Sequence, residues 1–178
     1  MDSINQQQEE ENYKALLGPS AGKKIKELAS KTKTCFFCTS ITSNQPVSVR
    51  PMAVQKTDEE GNFWFLSSND SHKNEHIQKD SKVQLLFQGS AHSDFLTVYG
   101  TATISTDKEL IKELWEPIIR TWFTGGVDDP RITVIKVDTS EGYYWDTKHG
   151  NAVAFAKMAA GAIMGKTLDD SIEGELNP

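Results

Sequence analysis

Two cysteines stand at a spacing that redox and zinc sites use. Cys35 and Cys38 lie in the segment TCFFCTS. Zinc needs four ligands, and no pair of histidines in the chain has a spacing that would complete the set. The Thr and Phe flanks favour a β-strand, on which positions 35 and 38 point to opposite faces. We therefore predict that the thiols are small core side chains and that the protein has no metal site.

Motifs of the common enzyme mechanisms are absent from the sequence. It contains no nucleophile elbow, no His-Glu-x-x-His, no phosphate-binding P-loop and no dinucleotide-binding glycine pattern. His72 and His76 are four residues apart on a predicted helix, but no third ligand accompanies them. The acids of Asp128–Pro130 are typical of a turn. Only His72 and His149 are candidates for proton transfer, and the catalytic residues stay unassigned.

Anion-binding chemistry is better represented. Arginine is scarce, and the three residues are Arg50, Arg120 and Arg131. Arg50 lies inside a predicted strand, where a long cation is unusual unless it meets an anion. Hydroxyls and a lysine cluster downstream, where a predicted strand gives way to a helix: Ser67, Ser68, Ser71 and Lys73. This combination is typical of a phosphate site at a helix N-terminus, and equally of a capped, solvated helix start.

These residues must be positioned by a sheet of short, consecutive strands. Apolar periodicity predicts helices over residues 20–32 (with Ser20 as N-cap), 71–79, 107–122 (kinked or restarted at Pro117) and 151–164. β-Branched and aromatic runs predict strands over residues 34–41, 46–56, 62–68, 82–88, 94–105, 131–138 and 142–147. Consecutive strands favour antiparallel pairing, and about six such strands close most economically into a small barrel. The predicted fold class is α+β with a barrel core.

Acidic residues are concentrated at the two ends of the chain. The net charge is −6 over 178 residues, with −4 in residues 1–12 and −4 in residues 167–178, so the body is nearly neutral. We predict an acidic N-terminal tail (1–19), one domain (20–165) and an acidic C-terminal tail (166–178). No apolar run approaches a membrane span, and Met1–Glu11 does not resemble a signal peptide. We expect a soluble cytoplasmic protein with no nucleic-acid or membrane partner.

The order of several motifs resembles that of a known family. Arg50–Met52, Phe63–Ser68 and Ser71–Lys73 together resemble the FMN-binding pattern of the pyridoxamine 5'-phosphate oxidase-like split-barrel superfamily. The later segments are similar to its general stress protein 26 branch: Phe95–Ala102, Trp122-Phe123 with Asp128–Pro130, and Tyr143–Asp146. The resemblance covers roughly residues 20–165 and implies a six-stranded antiparallel split β-barrel with flanking helices. It also implies a homodimer with FMN at the subunit interface.

The resemblance further implies which residues bind FMN. Arg50 and Lys73, helped by Ser71, would bind the phosphate. The backbone of Pro51, Met52 and Ala53 would line the isoalloxazine ring, and Leu66 and Ser67 would contact the ring edge and ribityl chain. Trp145, together with Trp122 and Phe123, would close the site from the other subunit. For the two tryptophans, packing in the core or the dimer interface is an equal alternative.

Other positions depart from the oxidases of this family. Those enzymes carry Lys, Arg and Gln at the positions of Gln55, His72 and Phe95. Their Arg-Leu-His-x-Arg segment corresponds here to Asn151, Val153 and Phe155, so no cation or imidazole remains to hold a phosphorylated substrate. The sequence thus favours FMN binding without pyridoxamine-phosphate oxidase activity.

Three functions remain open from the sequence. The leading hypothesis is an FMN-dependent oxidoreductase that passes a hydride between NADH or NADPH and an unidentified small acceptor. The second is a non-catalytic flavin-binding stress protein for storage or sensing. The third is a split barrel that binds a deazaflavin or haem.

Overall fold

The fold is built around one sheet that curls into a barrel. The structure is a computed structural model, and it describes residues 12–44, 46–91, 93–164 and 170–178. The strands are β1 Leu16–Leu17, β2 Thr34–Thr39, β3 Ser48–Ala53, β4 Lys56–Thr57, β5 Phe63–Ser68, β6 Lys82–Gln88, β7 Phe95–Ser105, β8 Ile132–Thr147 and β9 Ser171–Asn177. The helices are α1 Pro19–Thr32, α2 His72–Lys79, α3 Lys108–Leu114 and α4 Asn151–Met164.

Six of the strands form the barrel, and it is split along one side. Antiparallel pairing runs in the order β3-β2-β6-β7-β8-β5, and β3 is not hydrogen-bonded to β5. The chain crosses this gap at one end only, where the backbone N–H of Gln55 donates to Trp64 O at 2.9 Å and Lys56 pairs with Trp64. The predicted α+β split barrel is confirmed. Its strand count is not, because the described residues contain nine strands.

Strand β8 replaces two predicted strands with one. We expected strands at 131–138 and 142–147, but pairing with β7 continues from Val134 to Trp145. A register shift between Tyr99 and Gly100 lets the long strand bend, as the glycine suggested. A Cβ at position 100 would lie 2.5 Å from Asp138 O, so the close approach needs glycine. The first half of β8 pairs with β5 and the second half with β9.

The C-terminal segment, predicted as an acidic tail over residues 166–178, contains a strand. Ser171–Asn177 forms β9, which pairs with β8 and, in parallel, with β1. Asp170 and Glu173 are therefore buried instead of solvated. The segment at 13–17, placed by the sequence in the N-terminal tail, lies against the same sheet edge. The division into tails and domain thus stays a prediction, and most of the N-terminal tail lies outside the described residues.

Three predicted helix boundaries can be compared with the structure. Asp107 caps α3 by accepting from the backbone N–H of Glu109 and Leu110, as predicted. The helix ends at Leu114, and Pro117 begins a separate 3-10 turn, Pro117–Thr121, which confirms the predicted restart. The predicted cap at Ser20 is wrong, because α1 begins at Pro19 with Gly18, at φ 52°, as the capping residue.

The barrel interior is filled by aromatic and aliphatic side chains. Phe37 and Phe65 meet edge to face with ring centres 5.1 Å apart. Both cysteines are buried free thiols, and burial raises the pKa of each, which confirms their prediction as core residues. A second cluster, with Ile111, Ile119 and Ile132, packs α3 and the turn after it against the sheet.

Two further findings bear on the function classes excluded from the sequence. Within the part of the chain that the structure describes, no helix is long and apolar enough to cross a membrane. The same residues contain no group of three His, Cys, Asp or Glu side chains that could hold a metal ion.

Candidate functional site

A cavity of about 740 Å³ occupies the split between β3 and β5. Its volume falls in the range of roughly 300–1,000 Å³ that small-molecule and cofactor sites span. The lining residues come from both strand edges, α2 and the turn after α3: Thr34, Pro51, Met52, Ala53, Gln55, Leu66, Ser67, Ser68, Asp70, Lys73, Ile119, Trp122, Phe123 and Arg131. The cavity therefore lies where the hydrogen bonding between the strands of the barrel is interrupted.

Most of the residues predicted for the site line this one cavity. From the predicted set the structure brings together Pro51, Met52, Ala53, Leu66, Ser67, Lys73, Trp122 and Phe123. Arg50, Ser71 and Trp145 do not line it. Arg50 and Ser71 lie directly beside it, as described below, whereas Trp145 lies elsewhere on the sheet.

One end of the cavity is built on the start of α2. Ser71 caps this helix and Lys73 lies in its first turn. Behind them is a buried polar network: Asn74 Oδ1 accepts from Ser67 Oγ at 2.9 Å, and Asn74 Nδ2 donates to Thr133 Oγ1 at 2.8 Å. Ser71 Oγ is 3.1 Å from Ser67 Oγ. The network fixes the helix start, with its partial positive charge, against the end of β5.

Arg50 adds a second cation to this end. Its guanidinium donates to Thr39 Oγ1 at 3.0 Å and to Ser48 Oγ, so the side chain is held by neutral groups. Thr39 Oγ1 is in turn 2.9 Å from His76 Nδ1 on α2, so Arg50 lies close to the helix that carries Lys73. Burial lowers the pKa of Lys73, and the positive charge of Arg50 lowers it further. Burial likewise lowers the pKa of Arg50.

This pair of cations lacks a direct counter-ion. Among the described residues, no carboxylate lies within ion-pairing distance of Arg50 or Lys73. Asp70 acts on Lys73 only through space, where its negative charge raises the pKa of the amine. Two partly buried, unneutralised cations beside a helix N-terminus form an arrangement that favours a bound anion such as a phosphate.

The other end of the cavity is mainly apolar. Pro51, Met52 and Ala53 of β3 face Leu66 of β5 across the split. Gln55 stands at this end, and its Oε1 is buried without a hydrogen-bond partner. Such a surface accommodates a flat, largely apolar ring that carries some polar edge atoms.

A short segment after α3 covers the cavity. Ile119, Trp122 and Phe123 line it from the same chain, and a contribution of the last two to the site of another subunit stays a prediction. The segment is anchored where Arg131 Nη2 donates to Asp129 Oδ2 at 2.8 Å. This pairing, with the backbone N–H of Arg131, holds the pKa of Asp129 at about 2.

Sequence reasoning missed several residues at the cavity. Gln55 had been noted only as a departure from the oxidases, and Arg131 and Asn74 had no assigned role. Asn74 carried a usable signal, since asparagine is an unfavourable residue inside a helix unless its amide has a specific partner. No sequence signal marked Gln55 or Arg131. Gln55 reaches the cavity because the chain after β3 crosses to β5, and Arg131 reaches it because of the turn before β8.

Trp145 and the candidate histidines lie away from the cavity. Trp145 is 42% exposed on β8, with its ring centre 4.6 Å from that of Tyr143. His72 points into solvent beside Glu75. His149 Nδ1 is 2.7 Å from Asp170 Oδ1, so it takes part in anchoring the chain before α4. Neither histidine lines the cavity, and neither therefore stands where it could transfer a proton to a ligand bound there.

Comparison with known proteins identifies relatives of this chain. A family model described as pyridoxamine 5'-phosphate oxidase like matches residues 20–169. Protein bli-3 of Neurospora crassa is 30% identical over 126 residues, which cover 66% of this chain and 60% of that protein. The chain thus spans about 60% of the length of this curated relative.

Solved structures share the fold. A protein from Jannaschia sp. CCS1 that carries the name general stress protein 26 superposes with a TM-score of 0.70 at 20% identity, over 88% of this chain and 96% of that one. The general stress FMN/FAD binding protein of Xanthomonas citri superposes with a TM-score of 0.57 at 21% identity, over 67% and 85% of the two chains. At these identities the likeness establishes a common architecture.

Proposed function

The chain belongs to the pyridoxamine 5'-phosphate oxidase-like family, and on that premise we propose that it is a flavoprotein that binds FMN between β3 and β5. The observation that carries the proposal is the pair Arg50 and Lys73, two cations without a direct counter-ion beside an otherwise apolar cavity. FMN matches this polarity, because it joins a dianionic phosphate to a flat ring through a flexible polyol.

The phosphate would bind at the α2 end. Lys73 and Arg50 supply charge, while Ser71 and the first backbone N–H groups of α2 supply hydrogen bonds. Because Asn74 holds Ser67 and Ser71 from behind, these donors are already in position before a ligand arrives. The ribityl hydroxyls would pass Ser67, and the ring would lie between the backbone of Pro51–Ala53 and Leu66.

We also propose a homodimer, because the outer face of the sheet carries exposed apolar side chains. Phe36, Leu86, Thr97 and Tyr143 stand in one row across β2, β6, β7 and β8, and Phe36 and Leu86 are direct neighbours in it. Phe36 is 53% exposed, and Trp145 lies two residues along β8 from Tyr143. Large apolar side chains in adjacent positions on a sheet are typical of a surface that a partner covers. A second copy on this face would bring Trp145 into the interface.

Bound FMN would supply a ring that exchanges electrons with NADH or NADPH and with a small acceptor. The protein would bind the phosphate, orient the ring and keep water from its buried side. The positions corresponding to the substrate-binding cation and imidazole of the oxidases include Val153 and Phe155, which are exposed and apolar. They support an oxidoreductase that does not act on pyridoxamine phosphate.

One observation favours a second candidate, the non-catalytic flavin-binding protein. The titratable side chains that line the cavity are Asp70, Lys73 and Arg131. All three lie in or beside the loop and helix at the phosphate end, and none lies among the apolar residues at the ring end. A site without a proton donor near the ring favours storage or sensing over every flavin reaction that needs a protein acid, and leaves only simple hydride transfer as its catalytic alternative.

The test of FMN binding compares FMN with riboflavin, which lacks the phosphate. Arg50→Ala with Lys73→Ala is expected to weaken FMN binding at least about 100-fold, because each charged hydrogen bond contributes ~1.5–3 kcal/mol. Riboflavin binding should change little. Lys82→Ala with Lys112→Ala removes the same charge from exposed positions outside the cavity and serves as the control.

Two outcomes would contradict the proposal. One is a purified protein that shows no flavin absorbance and does not quench the fluorescence of added FMN. The other is an equal loss of FMN affinity in the double variant and its control. To separate the two candidate functions, NADH or NADPH is added to the loaded protein without oxygen. Bleaching of the flavin band within seconds supports the oxidoreductase, whereas a band that persists for minutes supports the binding protein.

A further inference from the structure

A buried hydroxyl connects Arg50 with helix α2. Thr39 is completely buried, and its Oγ1 accepts from Arg50 Nη1 at 3.0 Å. The same oxygen is 2.9 Å from Nδ1 of His76, on α2. A guanidinium has only donors, so the hydroxyl proton of Thr39 remains for the imidazole, whose Nδ1 accepts it when the ring is neutral. The three side chains thus form one directed chain, from Arg50 through Thr39 to His76.

His76 belongs to the phosphate end, although it does not line the cavity. It follows Lys73 by three positions on α2, and residues at this spacing lie on the same side of a helix. Its ring and the guanidinium of Arg50 each have a nitrogen within 3.0 Å of the same oxygen. The imidazole is therefore a near neighbour of both cations that are proposed to bind the phosphate.

No carboxylate of the described residues lies within ion-pairing distance of the His76 ring. On α2 itself, Glu75 pairs with Lys79 at 2.7 Å and faces His72, whereas Asp80 accepts from Thr42. The strands that α2 packs against, β2 and β7, carry no charged side chain, and their titratable groups are Cys35, Cys38 and Tyr99. A positive charge on His76 would therefore meet the cations of the phosphate end and no direct counter-ion.

We propose that His76 regulates the phosphate end through its protonation, which strengthens the binding of a phosphorylated ligand. The inference rests on the proposed binding of FMN. In the empty site a proton on His76 would add a third positive charge beside Arg50 and Lys73. It would also turn Nδ1 from an acceptor into a donor, so that Thr39 would lose the acceptor for its hydroxyl proton. A bound phosphate dianion offsets the charge of all three cations. Because linkage is reciprocal, a ligand that favours the proton is itself bound more tightly by the protonated protein.

The test measures the affinity for FMN at pH 5.5 and at pH 8, near the two ends of the range in which histidine ordinarily changes charge. His76→Asn keeps a hydrogen-bond acceptor for Thr39 but cannot be protonated. The wild type should bind FMN about as tightly as this variant at pH 8 and roughly 4-fold more tightly at pH 5.5. This is the effect of one charge that acts on a dianion across about 10 Å of a medium close to water. The phosphate of FMN takes up a proton near pH 6, but this titration is common to both proteins.

Two controls accompany the measurement. Gln78→Asn places the same residue at an exposed position of α2 and should leave the affinity for FMN unchanged at both pH values. Riboflavin lacks the phosphate, so the ratio of its affinities for the wild type and His76→Asn should be the same at pH 5.5 and at pH 8.

A spectroscopic readout tests the same coupling without any variant. In wild-type protein with isotope-labelled histidine, NMR identifies the ring of His76 from its contact with Thr39. When neutral, this ring should carry its proton on Nε2, because Nδ1 accepts from the hydroxyl. It should become protonated at a higher pH with FMN bound than with riboflavin bound, since only FMN brings the phosphate.

The outcomes separate this inference from the proposal beneath it. A protein that binds neither FMN nor riboflavin refutes FMN binding itself, and the inference loses its premise. If FMN binds but its affinity ratio between wild type and His76→Asn is the same at both pH values, FMN binding stands and the regulation by His76 is refuted. The same conclusion follows if riboflavin shows the pH dependence expected of FMN, because His76 then acts on the fold. A ring that titrates identically with FMN and with riboflavin overturns the regulation even if the variant fails to fold.

Discussion

Asn74 offers a direct test of how the phosphate end of the cavity is assembled. The residue is 1% exposed and stands between α2 and the sheet. Its Oδ1 accepts from Ser67 and Ser71, and its Nδ2 donates to Thr133. Asn74→Ala removes all three bonds and leaves the hydroxyls of Ser67 and Thr133 with fewer partners in a buried setting.

The expected loss of stability follows from these bonds. A typical hydrogen bond contributes ~0.5–1.5 kcal/mol, and a buried group left unpaired costs ~1–3 kcal/mol. Because Thr133 Oγ1 still donates to Ser67 O, part of the network survives. We expect Asn74→Ala to lower the free energy of unfolding by about 3 kcal/mol. For a chain of this size that corresponds to a decrease in Tm of roughly 6–12 °C.

The assay is urea unfolding of the flavin-free protein, monitored by circular dichroism and tryptophan fluorescence. Asn69→Ala is the matched control, because Asn69 is exposed on the turn just before α2 and its side chain makes no hydrogen bond in the described structure. It should change the free energy of unfolding by less than about 0.5 kcal/mol. If Asn74→Ala is as mild as the control, the reasoning that this network fixes the start of α2 is wrong.

Three further predictions concern the rest of the fold. Burial alone would raise the pKa of Asp170, but Lys157 and His149 hold this pKa at about 2, below the ordinary value of 3.8. The charged carboxylate therefore stabilises the fold fully above pH 3.8, and this stabilisation is lost as the pH falls toward 2. The difference in free energy of unfolding between wild type and Asp170→Asn should close between those two pH values. Gly100→Ala should destabilise by about 1–3 kcal/mol in thermal unfolding, because the new Cβ would lie 2.5 Å from Asp138 O; an unchanged Tm would contradict the close approach. Leu86→Glu on the outer face of the sheet should convert a dimer into a monomer by light scattering, and a dimer that withstands it would place the interface elsewhere.

The sequence was most informative where a feature depends on neighbours in the chain. Strand β5 was predicted from its aromatic composition, and Asp107 caps α3 through backbone groups two and three residues away. Pro117 restarts the helix because proline has no backbone N–H to donate and its ring clashes with the preceding helical turn. The order of such segments was sufficient to predict the barrel and most of the cavity lining.

Other features required the folded chain, because they depend on which distant segments meet. Acidic composition alone predicted a C-terminal tail, and only the fold shows that Ser171–Asn177 is a strand that pairs with the edge of β8. Trp122 lines the cavity within its own chain because the turn after α3 folds back over β5, which nothing local in the sequence shows.

Arg50 and Lys73 depend on both the sequence and the fold. Their residue types and positions in the sequence already suggested a phosphate site, because a cation inside a strand and a lysine at a helix start are locally unusual. Only the tertiary structure decided that Arg50 and Lys73, 23 positions apart, lie close together without a direct counter-ion.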